Sequence, residues 1–199
     1  QFIKNNMNDI TSQKNNLRKK LAQKRNIIKN KSLVEFNQEA FNKLLNFIKL
    51  DEIKYVASFV SIRSEISTTE LNEHIIKLNK ILSFPITKKN SKELFFKKFK
   101  INQNLKIGMF NIPEPPKENK EILPQLFFVP CLGFDLNGYR LGYGGGFYDK
   151  TFKKLYKLNH KFYTVGFAFD EQMQNKIPRE SFDYKLDFVL TEKELYRIL

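Results

Sequence analysis

Gln125-Leu126-Phe127-Phe128-Val129-Pro130, then Gly142-Tyr143-Gly144-Gly145-Gly146-Phe147-Tyr148-Asp149, then Phe162-Tyr163-Thr164-Val165-Gly166-Phe167-Ala168 follow one another along the chain. The first and third stretches are short runs of β-branched and aromatic residues bounded by turn formers, which read as buried strands. The middle stretch is a glycine-rich turn that opens an amphipathic helix over residues 147–158. Strand, turn, helix, strand is the repeating unit of an α/β domain.

Working outward, residues 9–29 read as a basic amphipathic helix carrying Leu17, Leu21 and Ile28. A second helix is expected over 33–50, where Phe36, Ala40, Phe41, Leu44, Leu45 and Ile48 recur at three- and four-residue steps. The period then changes, and 55–62 reads as a buried strand. Thr68 or Thr69 is placed to cap a helix reaching Asn79, with Leu71, Ile75 and Leu78 inward, and 81–85 is the next strand. Between 88 and 123 the signals weaken to a short strand around Leu94-Phe95-Phe96 and Phe99, and an extended stretch at Pro113, Pro115 and Pro116. Residues 187–190 read as the last strand, and Thr191 with Glu194 has capping-box spacing for a closing helix. The expectation is an α/β fold: one three-layer domain over 1–199 around a mostly parallel central sheet, with residues 1–8 disordered. There is no internal repeat and no low-complexity linker.

Of the 199 residues, 41% are hydrophobic, 28% charged and 14% aromatic, enough to bury a core without disulfides or a structural metal. The single cysteine, Cys131, excludes an internal disulfide framework and a multi-cysteine zinc site, and fits a reducing, cytoplasmic setting. No apolar run approaches the roughly 20 residues needed to span a bilayer. The formal charge is +14, yet lysine is spread along the whole chain rather than gathered into an arginine-rich face. That favours an anionic ligand without choosing one.

The chemistry concentrates at Gly138-Tyr139-Arg140-Leu141-Gly142 and the run through Asp149. Four of the eight glycines fall between 142 and 146. Such a loop bares backbone N–H groups and lets a phosphate approach, and the following helix start favours an anion. Arg140 adds a full positive charge, and Asp149 is placed to hold a Mg²⁺ that bridges phosphates. The P-loop pattern is excluded because no Gly-Lys pair occurs; the dinucleotide fingerprint fails because Phe147 stands at its last glycine.

Pro130-Cys131-Leu132-Gly133-Phe134-Asp135, with the glycine segment to Asp149, resembles the signature of the 5-formyltetrahydrofolate cyclo-ligase family. Further pieces stand in that family's order: Lys14-x-x-Leu17-Arg18, Ser64-Glu65-Ile66-x-Thr68, Asn111-Ile112-Pro113-Glu114-Pro115, Gly166-Phe167-Ala168-Phe169-x-Glu171-Gln172 and Ile177-Pro178-x-Glu180-x-x-Asp183. The resemblance spans about residues 14–194. It implies a fold akin to ribose-5-phosphate isomerase and CoA transferases. It also implies an ATP- and Mg²⁺-dependent closure of 5-formyltetrahydrofolate to 5,10-methenyltetrahydrofolate through an N5-iminium phosphate, with release of ADP and phosphate.

Carried over residue by residue, the resemblance assigns ATP contacts to Lys14, Arg18, Arg140, Leu141, Gly142, Tyr143, Gly144, Gly145, Gly146, Phe147 and Tyr148. Folate contacts fall to Val60, Glu65, Phe110, Tyr143, Gly144, Gly145, Gly146 and Phe147, catalytic roles to Arg140 and Tyr148, and Mg²⁺ to Asp149 and Asp183. Asp135 and Asp187 compete for the metal and read instead as a turn residue and a strand start. Two departures stand out: the glycine run carries Tyr143 and Gly145 where some relatives have a basic residue, and Pro85 is followed by Ile86 rather than arginine. His74 and His160 read as ordinary surface residues and Cys131 as a small buried one. The expected partners are small molecules, without nucleic acid or membrane, in a monomer or homodimer. The rival reading is a basic RNA-binding α/β module, which lacks its usual clustered-aromatic signature. A CoA transferase or sugar-phosphate isomerase has only the fold in its favour.

Overall fold

The computed structural model describes residues 2–31 and 36–198. Helix α1 (Phe2–Lys31) is longer than the spacing indicates. Its span takes in part of the 1–8 stretch, and no proline or glycine occurs before Pro85 to interrupt it. Helix α2 (Gln38–Phe47) is capped by Asn37, whose Oδ1 accepts from the Ala40 N–H at 2.8 Å. Leu33, Val34 and Glu35, expected in this helix, lie outside the described residues.

Strand β1 (Tyr55–Ala57) is shorter than the 55–62 expected. After Ser58 the chain folds into a loop in which the Ser61 hydroxyl donates to the Ile66 carbonyl and accepts from the Thr68 N–H. Helix α3 (Thr69–Lys77) follows; Thr68 occupies its cap position but gives its hydroxyl to the Phe59 carbonyl instead. Next come β2 (Ile81–Thr87), β3 (Leu94–Lys98), β4 (Lys106–Ile107), β5 (Pro113–Glu114) and β6 (Glu121–Ile122). Strand β7 (Leu126–Pro130) leads into β8 (Gly133–Phe134), β9 (Arg140–Leu141) and helix α4 (Phe147–Lys157). Strands β10 (Tyr163–Phe167), β11 (Phe188–Leu190) and β12 (Leu195–Arg197) complete the fold.

The main sheet runs β12-β11-β10-β7-β1-β2-β3-β6. Its five central strands are parallel; β12 and β3 run antiparallel to them, and β6 pairs antiparallel with β3. Alternation along β7 shows how the layers form. Leu126 and Phe128 point into a cluster with Phe41 and Leu44 of α2 and Leu71 and Ile75 of α3. Phe127 and Val129 point the other way, against Phe152 and Leu155 of α4. The result is the expected three-layer α/β arrangement, with a mostly parallel sheet buried on both faces. No helix among the described residues is long and apolar enough to cross a membrane.

The closing helix is a correction. Residues 195–197 form β12, antiparallel to β11. The Thr191 hydroxyl accepts from the Lys193 and Glu194 N–H groups, as a cap would, but the chain reverses there and pairs the exposed edge of β11 instead. The same local turn serves a helix start or a hairpin, and the neighbouring edge decides.

Candidate active site

Between β1 and β7 the order of the sheet reverses, since β1 leads outward to β2 and β7 leads the opposite way to β10. The loops leaving the carboxyl ends of two such strands diverge and open a crevice. Glu65 lies on the loop after β1, and the glycine segment lies beyond β7, so both fall at this point. Helix α1 crosses the same end. Its Leu21 packs with Leu132, Leu141 and Ile177, Lys24 Nζ donates to the Glu171 carbonyl, and Lys29 Nζ donates to the Arg63 carbonyl.

Arg18 Nε donates to the Gly142 carbonyl at 2.8 Å. Gly144 has φ of 103°, and a Cβ there would stand 3.4 Å from the Arg18 guanidinium carbon, so this position needs glycine's freedom beside a close neighbour. Gly146, at φ 66°, starts α4 in the left-handed region. Leu141 is buried and its carbonyl accepts from the Leu132 N–H, which makes its side chain part of the scaffold. A Cβ at Gly145 would overlap the Phe147 ring. Arg18 thus brings α1 against the loop.

Lys14 is paired differently from Arg18. It is 6% exposed, and Nζ lies 2.7 Å from Glu180 Oε2 and 2.6 Å from Asp183 Oδ2. Arg140, almost fully buried, pairs through NH2 with Asp149 Oδ1 at 3.0 Å and donates through NH1 to the Tyr184 carbonyl. Its guanidinium carbon lies 5.9 Å from the Tyr148 ring centre. Burial pushes the Tyr148 phenol above its ordinary range, so it stays protonated and available as a donor.

Asp149 and Asp183 therefore enter the site already paired. Asp149 Oδ1 also accepts from the N–H of Tyr184, the residue after Asp183, so one peptide links the two carboxylates. Asp183 Oδ2 also accepts from the Glu180 N–H. The described bonds fall on one oxygen of each aspartate, and a carboxylate offers about four lone-pair positions. That donor set suits a Mg²⁺ held by one or two carboxylates and otherwise by water and phosphate. No group of three or more His, Cys, Asp or Glu suited to a metal occurs among the described residues. The competitors are occupied elsewhere: Asp135 accepts from the Asn137, Tyr139 and Ile177 N–H groups, and Asp187 from Thr164. His74 sits against the Glu70 carbonyl and the Phe36 ring, and His160 against the Pro124 carbonyl.

On the other side, Val60 and Glu65 line a cleft of about 660 Å³ with Thr68, Asn72, Phe84 and Phe169. That volume is in the range of small-molecule sites. Asn72 Oδ1 is buried without a hydrogen-bond partner. Glu65 is 5% exposed; Oε2 accepts from the Ile62 N–H at 2.9 Å and Oε1 from the Tyr143 hydroxyl at 2.5 Å. Burial raises its pKa, opposed by the Tyr143 and Ile62 bonds and by Arg25 and Arg63. Phe110 projects from the β4–β5 hairpin, 61% exposed, and its ring meets Phe147 edge-on at 5.7 Å. Its φ of 67° is rare for an aromatic residue and costs on the order of 1–3 kcal/mol, a cost that recurs at ligand-contacting positions.

Sequence reasoning missed Arg25. It is 2% exposed and reaches from α1 to Ser64 Oγ at 3.1 Å and the Tyr143 hydroxyl at 2.8 Å. The available signal was its spacing: Arg25 stands seven residues after Arg18, hence on the same helix stripe. In the sequence Glu180 stands only as part of a motif, and its pairing with Lys14 is a tertiary fact.

Residues 10–192 match the model of the 5-formyltetrahydrofolate cyclo-ligase family. The chain belongs to that family. The cyclo-ligase of Escherichia coli K12 is 28% identical over 88% of this chain and 98% of its own length. That of Haemophilus influenzae is 33% identical over 73% of this chain and 80% of its own. The solved 5,10-methenyltetrahydrofolate synthetase of Aquifex aeolicus superposes with a TM-score of 0.71 at 31% identity, over 93% of this chain and 92% of its own. The cyclo-ligase family assignment thus embraces α1 from Ile10 onward, the glycine segment, the Glu65 loop and both aspartates.

Proposed function

We propose that this cyclo-ligase family member converts 5-formyltetrahydrofolate to 5,10-methenyltetrahydrofolate with ATP and Mg²⁺. The 5-formyl oxygen takes the γ-phosphoryl group, ADP leaves, and an N5-iminium phosphate forms. N10 attacks the activated carbon, loses its proton, and phosphate departs. The observation that carries this reading is the Tyr143–Glu65 hydrogen bond, which joins the anion-binding loop to the carboxylate of the neighbouring cleft. A transfer between two bound substrates needs such adjacency, since phosphoryl transfer depends on positioning and charge neutralisation more than on a protein nucleophile.

In this reading Arg18, the Gly142–Gly146 amides and the start of α4 hold phosphate oxygens. Arg140 neutralises charge that develops on them, and the partly buried Tyr148 phenol, kept protonated, donates a hydrogen bond. Asp149 and Asp183 are the residues that would hold Mg²⁺, which supplies charge neutralisation at the phosphates. Glu65 accepts hydrogen bonds from pterin N–H groups, Val60 lines the pocket, and Phe110 with Phe147 covers the flat part of the folate. The test is the near-ultraviolet absorbance of the methenyl product. Purified protein should give a rise that needs both ATP and Mg²⁺; no rise with all components present would refute the proposal.

A further inference from the structure

Arg25 is the largest polar side chain among those fully buried, and its NH1 group has no hydrogen-bond partner. A guanidinium is always charged and is retained in an interior only where an anion compensates it. The nearest such group is Glu65: NH1 stands 4.0 Å from Oε1, and NH2 donates to the Tyr143 hydroxyl that itself donates to the same oxygen. Nε donates to Ser64 Oγ, so the fork is fixed on the residue next to Glu65 as well. The Arg25 guanidinium carbon also lies 5.6 Å from the Tyr143 ring centre. One cation from α1 therefore reaches both the Glu65 loop and the glycine loop.

We propose that Arg25 is a positioning residue for Glu65, holding that carboxylate charged and turned to the cleft as an acceptor for the N–H donors of a bound pterin. The inference rests on the assignment of Glu65 to the folate. Burial alone would drive Glu65 towards its neutral form, and a protonated carboxyl loses acceptor capacity toward a paired N–H edge. The groups facing Glu65 are Arg25 from α1, Arg63 from its own loop, and Tyr143, Tyr148 and Cys131 from the glycine side. Lys29 of α1 and Glu73 of α3 line the same cleft. Of the cations, Arg25 is the one that touches both Glu65 and its hydrogen-bond partner.

The experiment is calorimetric titration of the full chain with 5-formyltetrahydrofolate, without ATP, from pH 6 to 9. Arg25→Met should bind about tenfold more weakly at pH 6 than at pH 9, beyond any slope of the unsubstituted protein, because without the cation burial keeps a proton on Glu65 further up the pH scale. Arg25→Lys should recover most of the flat profile, and adding Arg25→Met to Glu65→Gln should introduce no new pH dependence. A uniform loss of affinity at every pH would mark Arg25 as merely structural and overturn the proposal. If Arg25→Met does not fold, the carboxyl ¹³C signal of Glu65 decides in the intact protein and in Tyr143→Phe. Glu65 should be ionised at pH 7 and should titrate higher in Tyr143→Phe; a neutral carboxyl at pH 7 would overturn the proposal. Glu65→Gln that binds the folate normally would refute the assignment of Glu65 to the folate, leaving the ¹³C result to judge the role of Arg25.

Discussion

Asp149→Asn should weaken the protein in the complete absence of Mg²⁺. Arg140, with a side chain 4% exposed, has its NH2 3.0 Å from Asp149 Oδ1, and the same oxygen takes the Tyr184 N–H at 2.9 Å. Asparagine keeps an acceptor oxygen for both donors and removes the charge. Breaking a buried ion pair costs about 3–5 kcal/mol. Asp149 is 20% exposed and the oxygen survives, so the expected loss is nearer to about 2–3 kcal/mol, the worth of a hydrogen bond to a charged group. For a chain of this size, that lowers Tm by about 4–12 °C. The assay is thermal denaturation followed by circular dichroism in a chelator, with a parallel Mg²⁺ titration of activity. The Mg²⁺ needed for half activity should also rise. The combination separates two roles of one carboxylate: as a metal ligand alone, the substitution would leave the metal-free Tm within about 1 °C of the parent, and the ion-pair argument would be refuted.

Arg18→Ala should raise KM for ATP far more than KM for folate, because its guanidinium rests on the loop at Gly142 and Gly144; equal effects on both would remove it from the phosphate side. Phe110→Ala should raise KM for folate by about five- to tenfold, the value of an aromatic contact, while ATP binding is kept; an unaltered folate KM would show that the hairpin tip does not touch the substrate. Cys131 is buried and its thiol is pushed up to about 12, so native protein should resist alkylation at pH 8 and react once unfolded; rapid alkylation of folded protein would contradict that burial. Because Glu65 is raised above its ordinary value, folded protein holds a proton there that unfolded chain has lost. Its contribution should diminish as pH climbs from the ordinary carboxylate range to the raised value, and Glu65→Gln should abolish that part of the slope in urea denaturation.

The sequence by itself determined the α/β class, the chain positions of the main strands and helices, and the place of the glycine-rich loop. Each of these is written locally. Alternation along 126–130 places Leu126 and Phe128 on one face and Phe127 and Val129 on the other before any partner is known. The glycines at 144 and 146 encode positive φ that no other residue adopts without cost. Family resemblance added which side chains to watch; among them, Arg18 meets the glycine loop at Gly142, Glu65 meets it through Tyr143, and Phe110 meets Phe147. Only the tertiary structure decided how those side chains pair. It gave Lys14 to Glu180 and Asp183, Arg140 to Asp149, and Arg25 to Glu65 through Tyr143. It also made a strand of 195–197, where a capping pattern was equally compatible with a helix. The physical reason is the same in each case. Propensity and periodicity act between residues a few positions apart, whereas a buried charge or an open sheet edge is satisfied by whatever the fold brings near. Arg25 meets partners 39 and 118 positions along the chain, a distance at which local pattern carries no information.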